Sequence, residues 1–521
     1  MTNLAWRGRW AVSLVAAITV AVATSPSGAQ EPTSRPAVTA AVQVTANPTP
    51  VRYHNPPQIA RNPTNGELVV VESDVRGTRK CAVHVSTDGG RTWAAGGDPM
   101  IEPVTDCGFY GEYGPYATLA FGKNGVLYVA FVASEFLNRA RNDIPRHVFL
   151  ARSTDSGRTF DTTRVFDAPD GNPDKGLNKG PMLAVDPNAP ERVYVGWRQG
   201  IFAVNAKEKL KTNIAASSDG GRTFGPPVDV TDERGGDYPG LAVDGDGTVH
   251  GIYWTRTFPP GPSNTPGPAR PIQYVRSTDR GGSWSKGEVI DPGNQSTPRP
   301  PLLAADPKSS AVYMVWYTNA EVNNQAPGFE GFHDIFLRAS TNGGRSWGDR
   351  VMVNDDRTKA NQFEPGVSIA PNGRLDIAWY DFRHSPAPAV PTTGQGAERG
   401  VSDIYYASSS DQGRSVSPNV RITDRGADRS LGAWKFDSKF NVGISSTEDT
   451  VYFAWQDPRN AILDSDAEDV YSASLVLDGR TADGPDSGGD GVPGWLLMGA
   501  GVLLGMGLAS VLLWRMRAAR S

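Results

Sequence analysis

Cysteine is almost missing from this sequence: two residues, Cys81 and Cys107, in 521. That excludes a disulfide-rich scaffold, and no histidine stands at the spacing a two-cysteine zinc site needs. In an exported chain an isolated pair most simply forms one disulfide, worth about 3 kcal/mol if unstrained. Histidine is scarce as well, with six residues that include His54, His147, His250, His333 and His384 and do not cluster along the chain. There is no HExxH, no P-loop, no GxSxG elbow and no GxGxxG opening a helix, so the corresponding enzyme classes have no motif to rest on. Excess positive charge is also absent. Lys and Arg number 51 against 56 Asp and Glu, for a net charge of −5, and no basic run is interleaved with aromatics. A nucleic-acid partner is not expected. The aspartate-rich segment DGDG (244–247) lacks the glutamate of an EF-hand loop and reads as a hairpin turn. No metal or other cofactor is expected.

Long apolar runs are confined to the two ends. Residues 1–29 carry Arg7 and Arg9, an apolar core over 10–23, then Ser27 and Ala29 ahead of a cleavage point, the order of a signal peptide. An uncleaved anchor is the alternative, although its core is short for a bilayer. Residues 494–514 are uncharged and apolar, and at about 1.5 Å per residue they reach roughly 31 Å, enough for a transmembrane helix. Arg515, Arg517 and Arg520 follow, so residues 515–521 form a basic cytoplasmic tail and the rest lies outside. The expected topology is single-pass type I in the cell membrane. Residues 30–39 then form a linker, 40–477 the folded domain and 478–493 a flexible Gly/Asp/Pro spacer. Gly501 and Gly505 form a GxxxG spacing that would permit a weak dimer, although glycine is common in such helices anyway.

Turn formers and aromatics are plentiful: 58 Gly, 41 Pro, 13 Trp and 16 Tyr, a composition suited to a β-rich fold. Six segments share one template: STDGGRTW (86–93), STDSGRTF (153–160), SSDGGRTF (217–224), STDRGGSW (277–284), STNGGRSW (340–347) and SSDQGRSV (409–416). Their third residues, Asp88, Asp155, Asp219, Asp279, Asn342 and Asp411, recur every 60–69 positions. Upstream of each lie two apolar runs joined by a turn, such as PMLAVDPNAPERVYVGW (181–197) and PGVSIAPNGRLDIAW (365–379), and a third run leads into the template. Each unit therefore reads as a four-stranded antiparallel meander. A seventh unit, GISSTEDTVYFAW (443–455) with EDVYSASL (468–475), has no template and no fourth strand. AAVQVT (40–45) would fill that place and close a ring of seven, with six blades and an extra hairpin as the alternative.

These segments resemble the bacterial neuraminidase repeat, or Asp box, of the sialidase superfamily, over roughly residues 50–475. The resemblance implies an all-β propeller with the boxes as structural turns on the face opposite the ligand site. The loops after each second strand, and those that cross to the next blade, would then line the ligand face. Arg76, Arg198, Arg256, Arg383 and Arg459 stand where second strands reach that face, three of them in D-x-R: Asp74–Arg76, Asp381–Arg383 and Asp457–Arg459. They suit an anionic ligand, because a guanidinium holds carboxylate or phosphate bidentately. Alternatively each is neutralised by a neighbour. Counting from the turn at Asn372-Gly373 puts Glu364 opposite Asp381, and counting from Asp246-Gly247 puts Asp237 opposite Arg256.

The family's catalytic parts are three arginines on the substrate carboxylate, a tyrosine nucleophile paired with a glutamate, and an aspartate acid/base. Here Tyr380 and Glu364 imitate the pair, and Asp74 or Asp106 the acid/base. The strand YHNPPQIA (53–60) has Asn55 where the first arginine would stand, so one carboxylate contact is lost. The loop 106–113, fastened by the disulfide, reads as an aromatic wall for a sugar or as a packed cap. Three functions are therefore open. One is a cell-surface propeller recognising a glycan or protein partner without turnover. The others are a divergent exo-sialidase acting on terminal acidic sugars, and a structural or assembly scaffold.

Overall fold

The computed structural model describes residues 36–45, 54–74, 80–101, 106–107, 117–134, 146–168, 178–200, 210–255, 271–293, 301–319, 333–358, 360–385, 400–429, 431, 442–461 and 467–477. The signal peptide, the C-terminal spacer, the transmembrane segment and the basic tail lie outside them. Among the described residues no helix is long and apolar enough to cross a membrane.

Seven antiparallel sheets follow one another along the chain, each built around four strands. Their first strands are His54–Arg61, Ala117–Phe121, Asn178–Val185, Gly236–Val243, Leu302–Ala305, Gln362–Ile369 and Gly443–Ser446. Each first strand packs on the first strand of the next blade, and the seventh packs on the first. The ring is closed at seven blades, not six, and closure leaves no inner sheet edge open. The second strands are Leu68–Asp74, Leu127–Ser134, Val193–Gln199, Val249–Thr255, Val312–Asn319, Leu375–Asp381 and Thr450–Asp457. They carry the largest buried side chains, Trp197, Trp254, Trp316, Trp379 and Trp455.

The N-terminus supplies the outer strand of the last blade. Val42–Gln43 pairs with Ser472 and Tyr471 of Asp469–Val476, within the span the sequence assigns to it. Ala37–Val38 pairs with Val476 and Leu475 of the same strand, so the sheet takes in residues expected to be linker. Val44 donates its amide to Val470 O at 2.8 Å, joining the two ends of the propeller domain.

The boxes are turns held by one repeated set of bonds. Ser86 Oγ accepts the Gly90 amide at 2.9 Å, and Asp88 accepts the amide and hydroxyl of Thr92 at 2.9 and 2.6 Å. Gly89 and Gly90 adopt positive φ, which side-chain-bearing residues resist. Asn342 reproduces the pattern without charge, taking the Ser346 amide at 2.9 Å and giving its own N–H to the Ser346 hydroxyl.

One irregularity recurs. In four blades the pairing of first and second strands skips two residues, at Pro56-Pro57, Gly180-Pro181, Tyr238-Pro239 and Glu364-Pro365. Proline has no N–H to give to the ladder, so the strand bulges there. Two residues face one on the partner strand, and every register beyond the bulge moves by one.

Candidate ligand face

Box turns and first-hairpin turns occupy one face. Gly343 N donates to Ser310 O at 2.9 Å, and Arg158 of the second box binds Glu67 of the first hairpin at 2.7 Å. The opposite, upper face receives the second-to-third-strand loops and the crossings between blades. Much of it, including Arg76 and Arg256, lies outside the described residues, as does most of the loop 106–113.

Three of the arginines can be followed, and each meets a carboxylate. Arg198 approaches Asp237 at 3.4 Å with both side chains buried, and donates to Gly200 O at 3.1 Å. Asp237 does not stand opposite Arg256, as turn counting suggests. The ladder begins at Val243 and Val249, one residue off that count, and the Tyr238-Pro239 bulge shifts it by one more, so Asp237 stands opposite Trp254 and its partner comes from the preceding blade. Arg383 binds Asp381 at 2.8 Å and Asp355 at 2.7 Å, and lies 4.1 Å over the Tyr405 ring. Arg459 repeats this with Asp457 at 2.7 Å, Asp424 at 3.1 Å and the Tyr471 ring at 4.2 Å. Burial alone would lower the pKa of Arg383, but the bonds to Asp381 and Asp355 hold it above its ordinary value. In blades 6 and 7 D-x-R is thus a staple in which the carboxylate and the arginine pair with each other.

Tyr380 and Glu364 are both buried. The Tyr380 hydroxyl accepts the Gln456 amide at 3.1 Å, and Arg429 lies 4.6 Å over its ring. Burial pushes its pKa up to about 12, away from the phenolate. The ladder begins at Ile369 and Leu375, one residue off the turn count, and the Glu364-Pro365 bulge shifts it by one more, so Gln362, not Glu364, stands opposite Asp381. Glu364 itself has φ of +53° and accepts a hydrogen bond from the Tyr317 hydroxyl at 3.3 Å. Tyr317 and the buried pair of Arg429 with Glu468, 3.4 Å apart, escaped the sequence reading because the partners come from neighbouring blades.

Blade 1 holds a cleft of ≈ 260 Å³, with His54, Glu72, Asp74, Lys80, Cys81 and His84 in its wall. Register explains its place. Opposite the bulge of the first strand stand Trp197 in blade 3, Tyr253 in blade 4 and Trp379 in blade 6. In blade 1 that residue is Glu72. Its neighbour on the third strand is Ala82, where blades 5, 6 and 7 pair a tryptophan with Phe336, Tyr405 and Tyr471. Two large rings are therefore replaced by a carboxylate and a methyl group. Aligning the repeats exposes this substitution in the sequence alone.

Glu72 Oε1 lies 2.9 Å from His54 Nδ1 and 3.3 Å from His84 Nε2. Its other oxygen is buried with no hydrogen-bond partner. Burial, the largest influence on this carboxyl, favours the neutral acid, but the two imidazoles together outweigh it and keep the pKa below the usual value. Asp74, the candidate acid/base, sits at the upper edge of this cleft. The Cys81–Cys107 disulfide borders it, with Cα atoms 5.5 Å apart, and ties blade 1 to a short strand on Leu127–Ser134 of blade 2.

No protein-family model matches the sequence, and no curated protein does either. Among solved structures, a phage phi92 endosialidase superposes with a TM-score of 0.45 at 10% identity, covering 88% of this chain and 72% of that one. An α-L-arabinanase of Penicillium chrysogenum bound to arabinobiose gives 0.44 at 11% identity, covering 85% and 99%. A protein of unknown function from Dyadobacter fermentans gives 0.43 at 14% identity, covering 86% and 100%. The architecture is an all-β seven-bladed propeller, as the closed ring of strand pairings already establishes.

Proposed function

We propose that this chain is an exported, membrane-anchored recognition propeller that binds a glycan or protein partner on its upper face without sialidase turnover. The observation that carries this reading is the neutralisation of Arg198, Arg383 and Arg459, each bound to a carboxylate of the chain itself. A sialidase needs such groups to meet the carboxylate of its substrate. The burial of Tyr380, with its hydroxyl on a backbone amide, argues in the same direction. The test is turnover of a fluorogenic sialoside together with a glycan-binding screen of the same purified protein. Binding without cleavage supports the reading, and cleavage abolished by Tyr380→Phe contradicts it.

A second reading has its own observation. Glu364 holds a left-handed backbone at a bulge of a first strand and takes a bond from Tyr317. Strain of this kind collects at functional sites. A glycoside hydrolase acting through Glu364 would lose turnover of aryl glycosides in Glu364→Gln while keeping its fold.

A further inference from the structure

We infer that the blade 1 cleft binds a saccharide bearing no acid group, with Glu72 as the buried acceptor for its hydroxyl or ammonium donors. This rests on the recognition reading and names the ligand class of one site on the propeller.

The first support is a broken repeat. Blades 3 to 7 fill this position with Trp197, Tyr253, Trp316, Trp379 and Trp455, all buried. Blade 1 gives up that packing for Glu72, and local departures from a fold's own rule mark functional sites. Polar satisfaction is the second. Both imidazoles address one oxygen of Glu72, and the other is buried without a partner. A buried acceptor left unmet is costly, and an ionised carboxylate can only accept, so the cleft calls for a donor. Among the described residues no three His, Cys, Asp or Glu side chains are placed to hold a metal ion. A ligand hydroxyl or ammonium would supply that donor.

Charge gives the class. Three carboxylates, Glu72, Asp74 and Asp98, line the wall with Lys80, and the imidazoles of His54 and His84 are already turned onto Glu72, so an acidic sugar would meet an excess of like charge. Arg198, Arg383 and Arg459 are bound to carboxylates elsewhere. Size agrees, because ≈ 260 Å³ falls below the range that admits drug-sized ligands and suits a single ring. Ala82, Val83 and Ala95 add an apolar wall for the face of a pyranose. Three strands and a disulfide hold these groups in place, as a preorganised site requires.

The test is calorimetric titration of the full chain at pH 7.5 with three probes: glucosamine trisaccharide, its N-acetylated form and sialyllactose. Saturable binding of either of the first two, with none of sialyllactose, is expected. Glu72→Gln should weaken binding about tenfold or more, the loss of a charged acceptor. Ala82→Phe, which restores the ring found in blade 5 and leaves Glu72 in place, should do the same with its melting temperature kept. It carries the test where Glu72→Gln does not fold. No binding of the first two probes, tighter binding of sialyllactose, or binding that Ala82→Phe leaves unchanged overturns the inference. Glycans bound elsewhere on the chain would leave the recognition reading standing, whereas sialoside turnover would remove that reading as well.

Discussion

Trp379 donates its indole N–H to Asp381 at 2.9 Å, and the same carboxylate holds Arg383 at 2.8 Å. Trp455 and Asp457 repeat the arrangement at 3.1 Å one blade later. An arginine that looks available for an anion in the sequence is a structural member of its blade.

Arg383→Ala leaves the buried carboxylate of Asp381 without its charged partner and releases the half-exposed Asp355. Removing one member of such a pair costs about 3 kcal/mol or more. Denaturant unfolding should show this loss, while glycan binding stays within about twofold of the parent. Lost binding at unchanged stability would place Arg383 in a ligand site.

The box carboxylates give stability a defined pH dependence. Asp88, Asp155, Asp219 and Asp411 titrate at about 2 in the folded chain against an ordinary 3.8. At Asp219 and Asp411 the largest cause is a hydroxyl bond, from Thr223 and Ser415. At Asp88 and Asp155 burial opposes the shift, and the turn's hydroxyl and amide bonds outweigh it. Depressed native pKa values stabilise the fold above about pH 4, and that contribution is lost as pH falls toward 2. Unfolding free energy measured from pH 5 to 2 should fall accordingly. Asn342→Asp should steepen the fall by adding one more titrating box.

Replacing Cys81 and Cys107 together by serine should lower stability by about 2–4 kcal/mol. Because the bridge joins blades 1 and 2, amide exchange should rise in Lys80–Ser86 and leave Lys211–Ser217 of blade 3 protected. Uniform loosening of all blades would contradict a local brace.

Deleting residues 1–45 removes both strands that pair with Asp469–Val476. An uncovered strand edge invites pairing with other chains. The truncated protein should aggregate or oligomerise in size-exclusion chromatography, and a stable monomer would show that closure does not need these strands.

Much of this was legible in the sequence. The boxes, the count of seven, the closing strand and the disulfide follow from repeats and spacing, because each is a local pattern or a single pairing. Cross-strand partners were not. Counting outward from a turn assumes a two-residue loop and an unbroken ladder. The ladders close at Val243–Val249 and Ile369–Leu375, one residue off that count, and the x-Pro bulges at Tyr238-Pro239 and Glu364-Pro365 shift it by one more. The partners of Arg198 and Arg383 include Asp237 and Asp355, which belong to neighbouring blades that no local pattern joins. Glu72 was readable in principle. It replaces a repeated aromatic, but an acid inside VVVESD attracts attention only when the blades are laid over one another.

The most direct test of the central claim is a fluorogenic sialoside assay on the purified protein beside Tyr380→Phe. With Tyr380 buried and the three described arginines each paired with a carboxylate of the chain, neither protein should release fluorophore above the buffer rate. Cleavage by the parent that disappears in Tyr380→Phe would contradict a recognition propeller and establish a sialidase.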